Sequence, residues 1–278
     1  MIAPPLVRLE ISSGLPESVG VASSAALEVA TARALGATDA DPLRVAALCQ
    51  EAENHVVGAP CGIMDQVAVA LGTPGAVLPI LCRPASVADP VPLPAGLEIV
   101  GWPTGISHNV DGASYARARA AAFMGKRVLE DAAGRTWSWV SELPRAAVAG
   151  LPATMDGASF LTRWGTTDDD VTVVRPEETY PVRAAASFGV EEHVRAVDAL
   201  AALAGDVPSP AQLGPLMAAS QEGYDAMGLG HPAATAIVRE ALSRPGVYGA
   251  RSSGGGCGGT VVVACEPGAL DDVDALIR

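Results

Sequence analysis

Apolar and polar positions alternate from Leu6 to Ser12, with Leu6, Arg8 and Glu10 on one side and Val7, Leu9 and Ile11 on the other. That period of two predicts a strand. A loop follows over Gly14–Gly20, then a helix of small residues from about Ser23 to Leu35. The next helix is well punctuated: Asp41 as N-cap, Pro42 at the first helical position and Gly58 just past the end. Leu43, Ala47, Leu48, Ala52 and Val56 form its apolar stripe. A short helix is expected from near Gly62 to Leu71, then strands over Ala76–Cys82 and Leu97–Trp102. Tyr115–Ala133 reads as a helix and Ala133–Pro181 as an irregular, Trp- and Pro-containing region with a loop. Further helices fit Val190–Ala204, Pro210–Ala226 and Ala233–Leu242. A strand from Val247, a glycine loop and a strong strand over Thr260–Ala264 close the pattern, with a last helix starting near Pro267. The order is α+β rather than repeated βαβ units. A division near residue 105 would give segments 1–105 and 106–278.

Composition narrows the class. Half of the 278 residues are hydrophobic, aromatics are scarce, and Ala, Val and Gly dominate. Such residues suit helices packed tightly on sheets. A formal charge of −13 argues against a nucleic-acid partner, which asks for a basic footprint. No apolar run approaches a membrane-spanning length, and the start lacks the regions of a signal peptide. Five cysteines form no CxxC pair, which fits free thiols and a cytoplasmic location. Lys126 is the only lysine, so a P-loop lysine is excluded.

Three segments carry candidate chemistry. In Glu53-Asn-His-Val-Val-Gly-Ala-Pro-Cys-Gly-Ile-Met-Asp65-Gln, two carboxylates stand twelve residues apart across a tight turn. One acid holding Mg²⁺ and the other orienting a hydroxyl would suit phosphoryl transfer. Each has a plainer explanation: Glu53 as a solvated surface carboxylate, Asp65 as a stabilising charge in the first turn of a helix. The loop from Pro16 to Ala25 opens a helix whose free N–H groups and serines fit a phosphate or Mg²⁺, or is an ordinary turn with Ser23 as N-cap. Gly254–Gly259, just before a buried strand, is a flexible loop or a backbone that passes close to a nucleotide or a packed helix. Asp168-Asp-Asp170 reads as the cap of a solvated turn. His55 and Cys61 stand at no metal-ligand spacing and are taken as structural or pocket-lining.

Together these segments resemble the GHMP superfamily of small-molecule kinases, in its galactokinase and L-arabinokinase branch. Gly58-Ala-Pro-Cys-Gly-Ile-Met-Asp65-Gln is similar to the signature around that branch's catalytic acid. Pro16–Ala25 is similar to its serine loop, and Gly249–Gly259 to its C-terminal glycine motif. Ile106–Tyr115 with Ala122–Gly125, Phe160-Leu with Asp169–Thr172 and Tyr180–Ala184, and Gly228–Gly230 resemble stretches of L-arabinokinases. The resemblance implies a ribosomal-S5-like N-terminal domain, shortened here, joined to a ferredoxin-like C-terminal domain. It implies ATP and Mg²⁺ as cofactors and transfer of a phosphoryl group to a monosaccharide's anomeric hydroxyl. Asp65 would act on that hydroxyl, with Gly62 and Tyr115 holding the sugar. Ser24 and Glu53 would ligate Mg²⁺. Ser18, Val19, Gly20, Val21, Ala22, Ser23 and Ser24 would wrap the ATP phosphates, and Gly254, Gly255 and Gly256 would help close the site.

The departures are specific. Ser18 replaces a family glycine and Ala22 a family serine; Pro103, Thr104 and Ser107 stand where relatives carry Asp, Ser and Arg. Relatives also have an N-terminal Arg…Gly-Glu-His-x-Asp segment, which does not precede the serine loop here. The expectation is therefore a chain that is inactive or impaired as a sugar kinase and poorly soluble, the segment being supplied by a separate polypeptide or hidden by start-codon choice. A non-catalytic binding relative and a GHMP kinase for another alcohol, such as a heptose, are the alternative expectations.

Overall fold

The structure, a computed structural model, describes residues 7–106 and 112–273. Three helices form its first layer: α1 (Ser23–Ala32), α2 (Pro42–Ala52) and α3 (Met64–Leu71). Asp41 Oδ1 accepts the Leu43 N–H at 3.2 Å, and Pro42 sits where a missing N–H costs nothing, so α2 starts where its sequence dictates. It runs into a π turn, Glu53–Val57, which Gly58 ends with φ 83°. The helices close on Val29, Val45 and Cys49, and on Ala46, Ile63 and Val67.

The buried face of α2 is thus Val45, Ala46 and Cys49, and not the stripe expected. Leu43 and Ala47 are half-buried, but Leu48 and Val56 are 55% and 84% exposed. Both sides of this helix carry apolar residues, and contact with α1 and α3 selects between them. The strand expected over Leu6–Ser12 is also absent: residues 7–12 have no regular structure and are exposed, while Leu6 lies outside the described residues. Alternation is a preference for a sheet, and no described strand pairs with this segment.

Short hairpins follow. Strands β1 (Ala76–Val77) and β2 (Ile80–Cys82) replace one continuous strand, pairing with β4 (Val91–Pro92) and β3 (Ala85–Val87) respectively. The main sheet is three-stranded and antiparallel, in the order β5 (Glu98–Pro103), β9 (Thr260–Cys265), β8 (Val247–Ser252). Its register runs from Glu98↔Cys265 to Pro103↔Thr260. β9 alternates between two cores, as a central strand must. Val261, Val263 and Cys265 meet Ala234 and Ala241 of α9 (Pro232–Leu242), whereas Ala264 meets Leu203 and Leu213 on the other face.

The largest core lies between two long helices, α4 (Gly112–Ala133) and α7 (Val182–Ala204). Ala118, Ala121 and Met124 face Val182, Ala185 and Ala186 there. A Cβ at Gly125 would stand 3.0 Å from the Ala186 Cβ, so the helices approach to a distance that small residues permit. Between them, the stretch expected to be irregular contains α5 (Arg145–Ala149), α6 (Gly157–Trp164) and the strand pair β6 (Met155–Asp156) and β7 (Thr179–Tyr180). Asp156 caps α6 by accepting from Ser159 N–H. α7 begins eight residues earlier than expected, immediately after Pro181, and α8 (Leu213–Met227) follows a 3₁₀ turn, Pro210–Gln212. Residues 267–272 form turns rather than the start of a last helix, and residues beyond 273 lie outside those described. Among the described residues no helix is long and apolar enough to cross a membrane.

Candidate active site

The serine loop is bent by its backbone. Ser18, Gly20 and Ala22 all have positive φ (58°, 76° and 57°), a conformation two of them adopt at a cost because they carry a Cβ. Alternate left-handed residues curl a loop so that successive N–H groups converge, which is the geometry of anion-binding nests. Ala22 occupies the N-cap of α1 and no side chain caps the helix, so Ser23 is its first residue and not its cap. The helix therefore presents free N–H groups at its start.

The loop is clamped from the far end of the chain. Thr260 Oγ1 donates to the Val19 carbonyl at 2.6 Å and Ser253 Oγ to the Gly20 carbonyl at 3.3 Å. A Cβ on Gly20 would lie 3.3 Å from the Thr260 nitrogen. The glycine loop 253–259 is thereby seated directly against the serine loop. Tyr224 donates to the Gly254 carbonyl, Gly255 packs on the Tyr115 ring, and the Cys257 N–H donates to the Leu229 carbonyl at 2.6 Å.

Glu53 stands at the centre of the acidic part. Its Oε1 accepts from Ser24 Oγ at 3.0 Å; its Oε2 accepts from the Cys61 thiol at 3.3 Å and from Gln66 Nε2 at 2.5 Å. Gln66 Nε2 also donates to Glu28 Oε2 at 3.2 Å. The solvated-carboxylate explanation of Glu53 thus gives way to a half-buried, triply bonded group. Asp65 lies in the first turn of α3. Burial, and then the charge of Glu53, push its carboxyl above the usual range. Burial likewise raises Glu28, against the pull of the Gln66 hydrogen bond and with the help of Glu53 and Asp65. Three carboxylates therefore repel one another in one half-buried volume.

The Pro60-Cys61-Gly62 turn is held from three sides. Cys61 N donates to Asn54 Oδ1 at 2.9 Å, and the Cys61 carbonyl accepts from Gln50 Nε2 at 3.3 Å and from Arg119 Nη1 at 3.4 Å. Burial, with the Glu53 charge, pushes the Cys61 thiol up to about 12. Tyr115 is pushed up to about 12 by burial, against the nearby Arg119; the charges of Cys61 and Asp65 also act on it. Both remain protonated hydrogen-bond donors at neutral pH.

Serine loop, glycine loop, Glu53, Asp65, Gly62 and Tyr115 therefore come together, while His55 is exposed. Of the arabinokinase-like stretch Ile106–Tyr115, residues 107–111 lie outside those described. Asp168-Asp-Asp170 requires a correction. Asp169 has a fully buried side chain, paired with Arg119 at 2.6 Å and 2.9 Å and bonded by Thr172; Asp168 accepts from the buried Lys126 at 2.6 Å. Glu28 and Arg119 escaped the sequence reading of the site, while Gln66 and Asp169 lay inside quoted motifs but were given no role there. Two carried a signal, since Glu28 lies one helical turn from Ser24 and Arg119 one turn from Tyr115.

Hard oxygen donors such as Ser24 Oγ and Glu53 Oε1 match Mg²⁺, which takes one or two carboxylates and completes its shell with water and substrate phosphates. Among the described residues no group of three or more His, Cys, Asp or Glu side chains could hold a metal ion.

Comparisons with known proteins agree with this architecture. The family models "GHMP kinases N terminal domain" and "GHMP kinases C terminal" match residues 2–73 and 196–275. The L-arabinokinase of Arabidopsis thaliana is 33% identical over 92% of this chain and 29% of its own length. The galactokinase of Chloroflexus aggregans (strain MD-66 / DSM 9485) is 34% identical over 95% of this chain and 62% of its own. The crystal structure of Lactococcus lactis galactokinase complexed with galactose shares the fold, with a TM-score of 0.71 and 21% identity over 91% of this chain and 59% of that one. The chain belongs to the GHMP kinases, in the branch of the galactokinases and L-arabinokinases. It spans less than two thirds of the length of each of these relatives.

Proposed function

We propose that this site serves an ATP- and Mg²⁺-dependent sugar 1-kinase, transferring the γ-phosphoryl group of ATP to the anomeric hydroxyl of a monosaccharide. Ser18–Ser24 wrap the phosphates with backbone N–H groups and the positive end of α1, and Gly254–Gly256 close over them. Ser24 Oγ and Glu53 Oε1 hold the cation. When bound, Mg²⁺ neutralises charge on the phosphate oxygens as it develops. Gly62 and Tyr115 position the sugar. Asp65 accepts a hydrogen bond from the hydroxyl, aims its lone pair at phosphorus and takes the proton as the bond to phosphorus forms. A loose transition state asks for orientation more than for a strong base.

The observation that carries this reading is the 3.0 Å contact of Ser24 with Glu53 beside a curled loop, with Asp65 close enough to Glu53 to be raised by its charge. The relatives' names supply the substrate class. Calorimetry with a non-hydrolysable ATP analogue tests it: Mg²⁺ is expected to strengthen binding, and the Mg²⁺-dependent binding to weaken roughly 10-fold or more in Glu53→Gln, the order of one lost charged contact of 1.5–3 kcal/mol. Addition of ATP with D-galactose or L-arabinose should release ADP in a manner that Asp65→Asn abolishes. No nucleotide binding with or without Mg²⁺ would overturn the reading, whereas tight binding without transfer to any alcohol would indicate a non-catalytic relative.

A further inference from the structure

Gln66 is fully buried, yet its amide is placed against two acids. Its Nε2 donates to Glu53 Oε2 and to Glu28 Oε2, while its buried Oε1 has no hydrogen-bond partner. A flipped amide would point its carbonyl oxygen at two carboxylates, so electrostatics leaves this orientation alone tenable. The side chain is held here for its N–H groups, and the lone acceptor is the cost of that choice. The Cys61 thiol donates to the same oxygen of Glu53.

We propose that Gln66 is a positioning residue for cation binding: with the Cys61 thiol it pins Oε2 of Glu53, leaving Oε1 turned to Ser24 Oγ as the one oxygen available to a divalent cation. This rests on the reading of Ser24 and Glu53 as the cation-holding pair. A neutral donor is the right chemistry for the task. An Arg or Lys would fix the carboxylate equally well but would cancel the charge that attracts the cation. The amide also ties Glu28 of α1 to Glu53 at the end of α2 and to its own helix α3, so the three helices share one polar node. Partners that orient a ligand commonly set metal affinity by 10–100-fold.

The test is a Mg²⁺ titration of binding of the non-hydrolysable ATP analogue, followed calorimetrically on the full chain. In Gln66→Met, which keeps volume and removes the donor, the half-saturating Mg²⁺ concentration should rise roughly 10–100-fold. Affinity for the metal-free analogue should stay at its wild-type value. Cys61→Ser, retaining a donor, should need Mg²⁺ as the wild type does, and Cys61→Ala more. A folded Gln66→Met with the wild-type Mg²⁺ requirement, or one losing metal-free and metal-dependent binding equally, overturns the inference. If Gln66→Met does not fold, Gln66→Asn, too short to reach both acids, takes its place. An unchanged requirement there and in Cys61→Ala has the same force. A wild-type chain whose nucleotide binding ignores Mg²⁺ instead sinks the kinase reading itself, and this inference with it.

Discussion

Burial and the charge of Glu53 both oppose ionisation of Asp65. A carboxyl raised above its unfolded value favours folding below the ordinary carboxylate pKa, about 3.9; that contribution is lost as pH rises through the folded value. At neutral pH the ionised acid is thus a burden on the fold. Asp65→Asn should raise the melting temperature at pH 7 by about 2–4 °C, the size of a stabilisation on the order of 1 kcal/mol. The gain should vanish in melts at pH values below the ordinary carboxylate pKa. Melting that falls at pH 7 would contradict this account. Asp169 behaves in the opposite sense. Burial alone would raise it, but hydrogen bonds from Arg119 and Thr172 and the guanidinium charge hold it below the usual range. Its stabilisation is present above the ordinary carboxylate pKa and lost as pH falls through the lower folded value. Arg119→Leu should cost about 3–5 kcal/mol in urea unfolding, since it strands a buried charge. Adding Asp169→Leu should recover much of that.

At the scale of elements, close approach of α4 and α7 is the feature most open to test. Gly125→Val would drive methyl groups into Ala186, Leu151 and Val182, whose atoms lie 3.0–3.2 Å from an added Cβ. A loss on the order of 1–3 kcal/mol is expected in thermal or urea unfolding, with secondary structure retained. What the sequence made legible follows from range. α2 and its ends were readable because Asp41, Pro42 and Gly58 act within a few residues of themselves. The buried face of the same helix was not, because Leu48 and Cys49 are both apolar and only α1 and α3 decide between them. α6 hid among Trp and Pro residues, although its Asp156 cap was in plain view. The motif acids were legible for the same local reason. Their supports, Glu28, Arg119 and Asp169, depend on contacts across 38 to 58 residues of chain, which no local pattern encodes.

At the scale of the whole molecule, one group of exposed apolar side chains lies on the first two helices. Leu27, Leu35 and Leu48 line a groove of about 350 Å³ between α1 and α2, and Val56 and Val57 are exposed nearby in the chain. Patches of this kind drive self-association. Light scattering of the purified chain should show a mass that grows with concentration. Leu48→Gln with Val56→Lys should reduce it and leave stability within about 0.5 kcal/mol, as changes at exposed positions do. The seat of the serine loop has a consequence of its own. Val19 and Gly20 are fastened by Thr260 and Ser253, partners 241 and 233 residues downstream. During synthesis on the ribosome, every acid of the pocket leaves the exit tunnel long before the strand that fastens the loop. A nascent polypeptide arrested short of β9 would carry Ser24, Glu53 and Asp65 but lack the Thr260 and Ser253 hydrogen bonds, so the serine loop is expected to set only once β9 has been made.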